Sequence, residues 1–493
     1  MSIFRAMARR AHLPWIVLVA ASLVTYVRVL PTFFVQDDFN FLRNLDRPLP
    51  NRVMITGGLP EYLRPLTTYW LPLTNKAVWG LNSYGFHISQ MAFMLLTVYA
   101  LYRIVFRLTQ SPLAASVTAA VYGLSKVHLY TLCWISGGID NAAGCFMALL
   151  LLAIVRYEQG EGSLWSIGAA CAAGLLSKES TIIGVVAWGG ATLVRSVLAR
   201  WVPAEKDAHT AERTDATKAA TILGRWLSPG DLRIGLTLTG VFGVYMLLRA
   251  SLISSHKVWG CDLSRFAYVI KSSVLAVLPI PETTTPIANA WVLLPLAVAA
   301  GACFLRPAGK FHEAVLGLLI WVLHAAIFAV SIRLPPGLQL YYAHFNVIGL
   351  ALLAGLCCQG VLERFSFRWS ALPLRAATTL LLGFYGYRSA LVVQQGIDQA
   401  NCPAMFEARY SKQAFDQLQD FMAEHPYQTV IFLETSDTMW WAMGRGDMIY
   451  TMFPGVAAKF DGRDGYRAEP GLKSDTSTLV VHQVAELQFN VVR

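Results

Sequence analysis

Long apolar segments are the feature that most constrains the fold of this chain. Runs of predominantly apolar residues recur along most of it, and about 20 such residues are what an α-helix needs to cross a membrane. Hydrophobic residues make up 55% of the 493 residues and charged residues only 14%, which lies outside the range of soluble globular proteins. The sequence therefore predicts an α-helical polytopic membrane protein.

About eleven transmembrane helices are predicted. The first is the segment LPWIVLVAASLVTYVRVLPTFF, which follows three arginines and is too long for the apolar part of a cleavable signal peptide. Length and apolar patterning predict the other ten helices, over residues 86–106, 112–132, 139–156, 164–177, 180–198, 232–252, 290–305, 313–331, 342–361 and 373–393.

Basic residues predict the orientation of these helices. Lys and Arg concentrate in cytoplasmic loops, and here Arg103, Arg107 and Arg156 lie at the ends of even-numbered spans. The net charge of +10 is therefore interpreted as a topology signal rather than as a nucleic-acid surface. The N-terminus is expected in the cytoplasm, and the polar segment 199–230 is expected to be a cytoplasmic linker. Short loops and the lack of eukaryotic targeting signals favour a bacterial inner membrane.

The composition changes near residue 394. FEARYSKQAFDQLQDFMAEHP is typical of an amphipathic helix, QTVIFLET of a buried strand, and STLVVHQVAELQFNVV of a further strand or strand pair. We expect two parts, a transmembrane domain over residues 1–393 and a small α/β domain over residues 394–493. An odd number of spans places the second domain, and the C-terminus, in the periplasm.

Two adjacent aspartates, Asp37 and Asp38, follow the first apolar segment at its predicted outer end. Water keeps a carboxylate ionised there, while the neighbouring low-dielectric region strengthens its interactions, which suits a base that acts on a lipid-borne substrate. The structural alternative is a helix cap, because Asp in a first turn accepts backbone N–H bonds. The pair alone leaves both interpretations open.

Three further polar motifs occupy predicted outer positions. The first outer loop, residues 34–85, contains Arg64 beside Pro65, and an arginine there is suited to binding a phosphate. The segment HLYTLCWISGGID ends at Asp140, and LSKE places Lys178 and Glu179 between two apolar runs. The positive-inside rule does not explain a lysine in an outer turn.

Taken in order, these four motifs resemble a family. DD after the first span, RPL in the first outer loop, HLYTLCWISGGID and LSKE are similar to the GT-C membrane glycosyltransferases, near the protein O-mannosyltransferases and the TPR-bearing O-mannosyltransferases. The resemblance covers roughly residues 10–200. This chain has no TPR repeats at its C-terminus, so a protein acceptor does not carry over.

The resemblance implies a GT-C fold and an inverting transfer of one sugar from a polyprenyl-phosphate donor. Asp37 would be the general base, with Asp38 as the alternate base or an orienting group. Two adjacent carboxylates raise each other's pKa, which assists a base. Arg64 and Lys178 would neutralise the lipid phosphate, which is the leaving group.

Other residues receive supporting roles. Asp140 and Glu179 would position substrate, or else cap helices. In a late outer loop, Arg333 is a further phosphate-binding candidate, and Tyr341 and Tyr342 are candidates for substrate positioning or for anchoring at the membrane interface. The candidate substrate-positioning residues also include His256, in the outer segment 254–289.

No cofactor is expected. The outer acidic residues would make a divalent-metal site possible only if the fold gathered them, and basic residues at the phosphate favour a metal-independent reaction. These acidic residues are Asp37, Asp38, Glu61, Asp140 and Glu179.

The expected partners are a polyprenyl-phosphate-linked sugar, membrane lipid, and an extracytoplasmic glycan, lipid or protein acceptor. One alternative is an oligosaccharyl ligase or polymerase, for which large outer loops with several basic residues are expected. A transporter or flippase is the other, and it predicts charges near the middle of the bilayer rather than at its outer boundary.

Overall fold

The computed structural model describes residues 2–46, 62–201, 227–253, 263–280, 293–305, 310–330, 343–366, 371–399, 403–424, 427–463, 466–485 and 487–492. Helices dominate these residues up to 424, and strands occur only in the last part. The α-helices described up to residue 424 are α1 Ser2–Tyr26, α2 Asp37–Asp46, α3 Leu71–Trp79, α4 Ser83–Thr109, α5 Pro112–Gly123, α6 Val127–Cys133, α7 Ile139–Glu158, α8 Leu164–Ser177, α9 Ile182–Trp201, α10 Pro229–Leu252, α11 Leu263–Val277, α12 Leu293–Leu305, α13 Phe311–Val330, α14 His344–Ser366, α15 Ala371–Asp398 and α16 Pro403–Glu424.

Six described segments are long and apolar enough to cross a membrane, judged by length and composition: Ser83–Thr109, Ser136–Glu158, Glu179–Ala199, Pro229–Leu252, His344–Phe365 and Leu372–Asp398. Shorter apolar helices occur at Leu13–Val29, Pro112–Gly123, Leu164–Ser177 and Phe311–Ile327. The chain is therefore a helical membrane protein, as the sequence predicts. The count of eleven spans and their orientation remain predictions.

Serine hydroxyl groups cap the N-termini of several of these helices. Ser111 precedes Pro112 at the start of α5 and accepts from the Ala114 N–H, and Ser163 accepts from the Ser166 N–H at the start of α8. Each serine satisfies a backbone donor that has no partner inside the helix. The short connections between apolar helices therefore end in well-defined helix starts.

The predicted helix over residues 112–132 is wrong in one respect, because it is broken into α5 and α6. The Ser125 hydroxyl and the Lys126 N–H both donate to the Ala276 carbonyl of α11, at 2.8 and 3.1 Å. The Tyr26 hydroxyl donates to the Ser125 carbonyl at 2.5 Å. Neighbouring helices thus satisfy the backbone at the break, which is the condition for irregular backbone inside a membrane bundle.

The first outer loop contains more helix than the sequence indicates. Helix α2 starts at Asp37, and a π-helical turn, Leu66–Trp70, leads directly into α3. The predicted outer segment 254–289 likewise contains α11. All three lie outside the apolar runs that predict the spans.

The last part of the chain is an α/β unit built on α16. Its further elements are β1 Thr429–Leu433, α17 Asp437–Ala442, α18 Asp447–Met452, β2 Ala457–Phe460, β3 Thr478–Ala485 and β4 Gln488–Val491. The strand order is β2-β1-β3-β4, with β1 parallel to β2 and β3, and β3 antiparallel to β4. Strand β2 was not foreseen. The boundary at 394 and the periplasmic location remain predictions.

Two apolar cores position the site. One lies among the transmembrane helices and includes Tyr26, Leu101 and Val347. The other lies under the sheet and joins Phe432 and Phe460 of the α/β unit to Phe34 and Phe39 at the start of α2 and to Phe86 of α4. The α/β unit therefore packs directly on the segment that carries the paired aspartates.

Candidate functional site

The two aspartates of the DD motif lie in different environments. Asp38 is 1% exposed. One of its carboxylate oxygens accepts from the Ser136 N–H at 2.7 Å and from the Ser136 hydroxyl at 2.6 Å, and the other accepts from the Val35 N–H at 3.1 Å. Burial raises the pKa of Asp38 to about 7, against the opposing effect of these hydrogen bonds. Asp38 therefore ties the start of α2 to the WISGG segment.

Asp37 is exposed at the first position of α2. Among the described residues its carboxylate accepts no hydrogen bond. Desolvation by the surrounding protein raises its pKa, while the nearby charge of Arg445 lowers it and that of Asp447 raises it further. Of the two carboxylates, Asp37 is thus the one that an incoming hydroxyl group can reach.

The SGG turn, Ser136–Gly138, forms a short 3-10 helix that runs into α7. A Cβ atom at Gly138 would lie 2.0–2.4 Å from the side-chain end of Gln90, so a larger residue here would displace the Gln90 side chain of α4. Asp140 follows Ser136 by four residues, roughly 6 Å along a helix axis. The turn therefore sets the separation between the Asp38 contact and Asp140.

Asp140 forms an ion pair with Lys178. The Lys178 Nζ atom lies 2.5 Å from Asp140 Oδ1, and the two side chains are 12% and 5% exposed. Lys178 has an extended backbone conformation after the end of α8, which directs its side chain away from the helix axis. The WISGGID and LSKE motifs thus meet at a buried pair of opposite charges.

Glu179 connects the same turn to the predicted first outer loop. Its carboxylate accepts from Arg64 Nε at 2.6 Å, and Arg249 at the end of α10 lies 3.8 Å away. The Arg64 guanidinium also lies 4.0 Å from the ring centroid of Tyr62. Because the hydrogen bond to Glu179 uses only Nε, the two terminal nitrogens of Arg64 can donate to another group.

The structure therefore brings all four motifs together. Asp38 contacts Ser136, Asp140 contacts Lys178, and Glu179 contacts Arg64. Among the described residues of the Lys178–Glu179 region, the three cations Arg64, Lys178 and Arg249 face the two carboxylates of Asp140 and Glu179, which leaves an excess of one positive charge. Such a cluster is suited to an anionic group such as a phosphate.

The sequence did not identify Arg249. The signal that could have found Arg249 is an arginine in the last turn of an apolar helix that ends on the predicted outer side, where positive-inside bias does not apply.

The sequence also did not identify the residues of the α/β unit that contact the DD segment. The Gln36 N–H donates to the Ala442 carbonyl at 3.2 Å, the Gln36 side chain donates to Glu407, and Arg43 pairs with Asp447.

Several candidate residues lie outside the described part of the chain, and their roles remain predictions. These are Glu61, His256, Arg333, Tyr341 and Tyr342. His128 is fully buried among the helices and its Nε2 atom lies 2.8 Å from the Tyr122 carbonyl.

The acidic residues do not assemble as metal ligands among the residues that the structure describes, where no group of three or more His, Cys, Asp or Glu side chains could hold a metal ion. Asp140 and Glu179 face cations, and Asp38 accepts three hydrogen bonds. The expectation of a metal-independent reaction remains a prediction.

Comparison of the sequence with known families gives one match. Residues 64–207 match the model of dolichyl-phosphate-mannose-protein mannosyltransferases. This match confirms the resemblance to the GT-C membrane glycosyltransferases. The matched segment contains Arg64, the SGG turn, Asp140, Lys178 and Glu179. No curated protein matches the sequence significantly.

The solved structures to which this chain is similar include ArnT, AglB and AftD. ArnT from Cupriavidus metallidurans, bound to undecaprenyl phosphate, is 14% identical with a TM-score of 0.49 over 97% of this chain and 96% of ArnT. The oligosaccharyltransferase AglB from Archaeoglobus fulgidus is 11% identical, with a TM-score of 0.48 over 90% of this chain and 64% of AglB.

The arabinofuranosyltransferase AftD from Mycobacteria is 13% identical, with a TM-score of 0.48 over 94% of this chain and 35% of AftD. These identities and TM-scores are too low for the three structures to indicate the function of this chain.

Proposed function

We propose that this protein is an inverting glycosyltransferase that transfers a single sugar from a polyprenyl-phosphate donor to an acceptor outside the cytoplasm. The observation that carries the proposal is the division of the DD pair. Asp38 is buried and held by Ser136 and Val35, while Asp37 is exposed beside it with a raised pKa. A fixed neighbour and an accessible carboxylate at the membrane boundary are what a general base requires.

In the proposed reaction, the acceptor hydroxyl oxygen attacks C1 of the sugar and forms the new glycosidic bond. The bond between C1 and the phosphate oxygen breaks, and its electron pair leaves with the lipid phosphate. The hydroxyl proton passes to the Asp37 carboxylate. Attack opposite the leaving phosphate inverts the configuration at C1.

The positive cluster of Arg64, Lys178 and Arg249 supports the other half of the reaction. Negative charge grows on the lipid phosphate as the bond breaks, and fixed cations stabilise that charge without rearranging. Glu179 and Asp140 hold two of these cations in place at 2.6 and 2.5 Å. The proposed role of these two carboxylates is therefore to position Arg64 and Lys178, not to bind the sugar directly.

The family model matched by residues 64–207 names dolichyl-phosphate mannose as the donor of that family, which supports a lipid monophosphate donor. The location proposed from the loop charges is a bacterial inner membrane, with the N-terminus in the cytoplasm and the α/β unit in the periplasm.

The test is transfer by the purified, detergent-solubilised chain from a radiolabelled panel of polyprenyl-phosphate monosaccharides. Wild type is compared with Asp37→Asn and Asp38→Asn, each with and without a chelator. Donor consumption by wild type and a folded but inactive Asp37→Asn variant support the proposal. Lack of donor use, or full activity of Asp37→Asn, overturns it, and loss of activity with the chelator overturns the metal-independent form.

A further inference from the structure

An exposed aromatic and cationic surface lies on the α/β unit beside the DD motif. We name it the Trp441 face; it consists of Trp440, Trp441 and Arg445. The Arg445 guanidinium lies 4.4 Å from the ring centroid of Trp441 and 5.6 Å from that of Trp440. Trp441 is 41% exposed, and Arg445 is exposed. Among the described residues Arg445 forms no ion pair, so its charge is available to a ligand.

The backbone of this face has an unusual conformation. Gly444, Arg445 and Gly446 have φ angles of 60°, 57° and 97°, so three consecutive residues occupy the left-handed region. For a residue with a side chain this conformation is uncommon and costs free energy. The turn holds the exposed Arg445 side chain over the Trp441 ring.

The turn is in direct contact with the start of α2. The Gln36 N–H donates to the Ala442 carbonyl at 3.2 Å. A Cβ atom at Gly444 would lie 2.7 Å from the Gln36 carbonyl oxygen. On the other side of the turn, Asn40 donates to Asp447 at 3.1 Å. Asp37 lies between these two contacts in the sequence, and the Arg445 charge is near enough to act on its carboxylate, so the Trp441 face lies beside Asp37.

The chemistry of the face indicates its ligand. An exposed indole ring offers a flat apolar surface on which the C–H face of a sugar ring can pack, and its N–H gives it a polar end. A guanidinium binds phosphate or carboxylate through two parallel N–H bonds. An anionic group that came close to Asp37 alone would be repelled, and the Arg445 charge offsets that repulsion.

We propose that the Trp441 face binds the acceptor, and that the acceptor is a saccharide carrying a phosphate or carboxylate group. This inference rests on the proposed function, because it places the acceptor hydroxyl within reach of Asp37. Trp441 packs on the sugar ring, and Arg445 binds its anionic group. The α/β unit thereby contributes acceptor selection to a reaction whose donor site is built by the transmembrane helices.

The experiment compares three acceptors of one sugar that differ only in charge: the neutral glycoside, its phosphate monoester and the corresponding uronate. Transfer by the full-length chain is measured with the donor that wild type consumes. The variants are Arg445→Gln, Arg445→Lys and Trp441→Ala. Arg467→Gln, which removes another exposed arginine of the α/β unit, is the matched control. The substitutions at residue 445 keep a Cβ atom, so the cost of the positive φ angle at this position stays the same in each variant.

The expected result is a KM for the anionic acceptors that is at least tenfold lower than for the neutral glycoside in wild type. Arg445→Gln abolishes that preference, so that its KM values for the anionic and neutral acceptors lie within twofold of each other. Arg445→Lys has an intermediate effect, and Trp441→Ala raises KM for all three acceptors. The phosphate and uronate arms show which anion is preferred. Equal KM values for all three in wild type, or an unchanged preference in Arg445→Gln, overturn the inference while transfer itself supports the proposed function.

Failure of the proposed function gives a different result. If wild type consumes no donor, equilibrium dialysis of the radiolabelled phosphate monoester against wild type and Arg445→Gln tests the face without catalysis. Binding that is at least tenfold weaker in Arg445→Gln, and unchanged in Arg467→Gln, supports an anionic saccharide site. Equal binding by all three proteins overturns it.

Discussion

The Ser136 N–H and the Ser136 hydroxyl donate to the same carboxylate oxygen of Asp38, at 2.7 and 2.6 Å. This contact joins the start of α2 to the turn that precedes α7, and it makes Asp38 part of the framework of the site. Asp37, one residue earlier, has no such partner among the described residues. Adjacent aspartates therefore separate into a supporting residue and a candidate base.

This division predicts different consequences for the two Asn substitutions. Asp37→Asn removes the base and should lower kcat by about 10²- to 10⁴-fold with the melting temperature almost unchanged. Asp38→Asn places an amide N–H₂ where carboxylate oxygens now accept, so it should cost roughly 1–3 kcal/mol of stability. Thermal unfolding in detergent and single-turnover transfer measure the two effects. Equal loss of stability in both variants would contradict the division.

The pKa of Asp38 predicts a pH dependence of stability. Burial raises that pKa from 3.8 in the unfolded chain to about 7 in the folded protein, so the folded state holds this proton more tightly. The contribution of Asp38 to stability is therefore largest below about pH 4, falls as the pH rises from about 4 to about 7, and is constant above that range. Unfolding by denaturant at several pH values should show this fall in wild type, and it should be smaller in Asp38→Asn.

The buried pair of Lys178 and Asp140 should behave as a unit. Asp140→Asn leaves the Lys178 charge buried without its partner, which typically costs 3–5 kcal/mol, whereas Asp140→Leu combined with Lys178→Met removes both charges and should recover most of that stability. The double variant should still fail to bind the donor, because the lysine charge is absent. Unfolding and binding of polyprenyl phosphate, measured on the same samples, separate the two roles. Donor binding at the wild-type level in the double variant would remove Lys178 from the phosphate site.

How far the sequence predicts this molecule depends on the range of the interactions concerned. Apolar runs predict the helices α7 to α10 closely because a membrane span is a local property of about 20 residues. The break between α5 and α6 was missed because it depends on Ala276 and Tyr26, which are distant in sequence. Motif order identified Asp37, Arg64 and Lys178 as candidates, but the pairing of Arg64 with Glu179 is a tertiary contact. Glu407 carried no signal, since an exposed-looking glutamate on an amphipathic helix is ordinary.

The Arg64 side chain provides a test of the donor-phosphate site. Arg64→Lys keeps one positive charge but loses the Nε bond to Glu179 and the planar set of donors, so KM for the donor should rise about tenfold or more. The control is Arg28→Lys, because Arg28 pairs with Asp398 on the surface with side chains 52% and 57% exposed, and such pairs contribute little. An equal effect of both substitutions would show that Arg64 acts only through general stability.

Gln36 and Glu407 predict that the α/β unit helps to aim the candidate base. Gln36 has a φ angle of 51°, and its backbone N–H and side chain are held by Ala442 and Glu407, both from the α/β unit. Removing the Glu407 carboxylate in Glu407→Ala frees the Gln36 side chain next to Asp37. We expect kcat to fall about tenfold with the donor KM unchanged, and Glu407→Gln, which retains a carbonyl acceptor, to restore most of the rate.

Gln36→Gly provides the complementary measurement, because glycine adopts a positive φ without strain. It should lower kcat less than Gln36→Ala does. A rise in donor KM with constant kcat in Glu407→Ala would instead show that the contact shapes the donor site, and an unchanged rate in all four variants would show that the orientation of Asp37 is independent of the α/β unit.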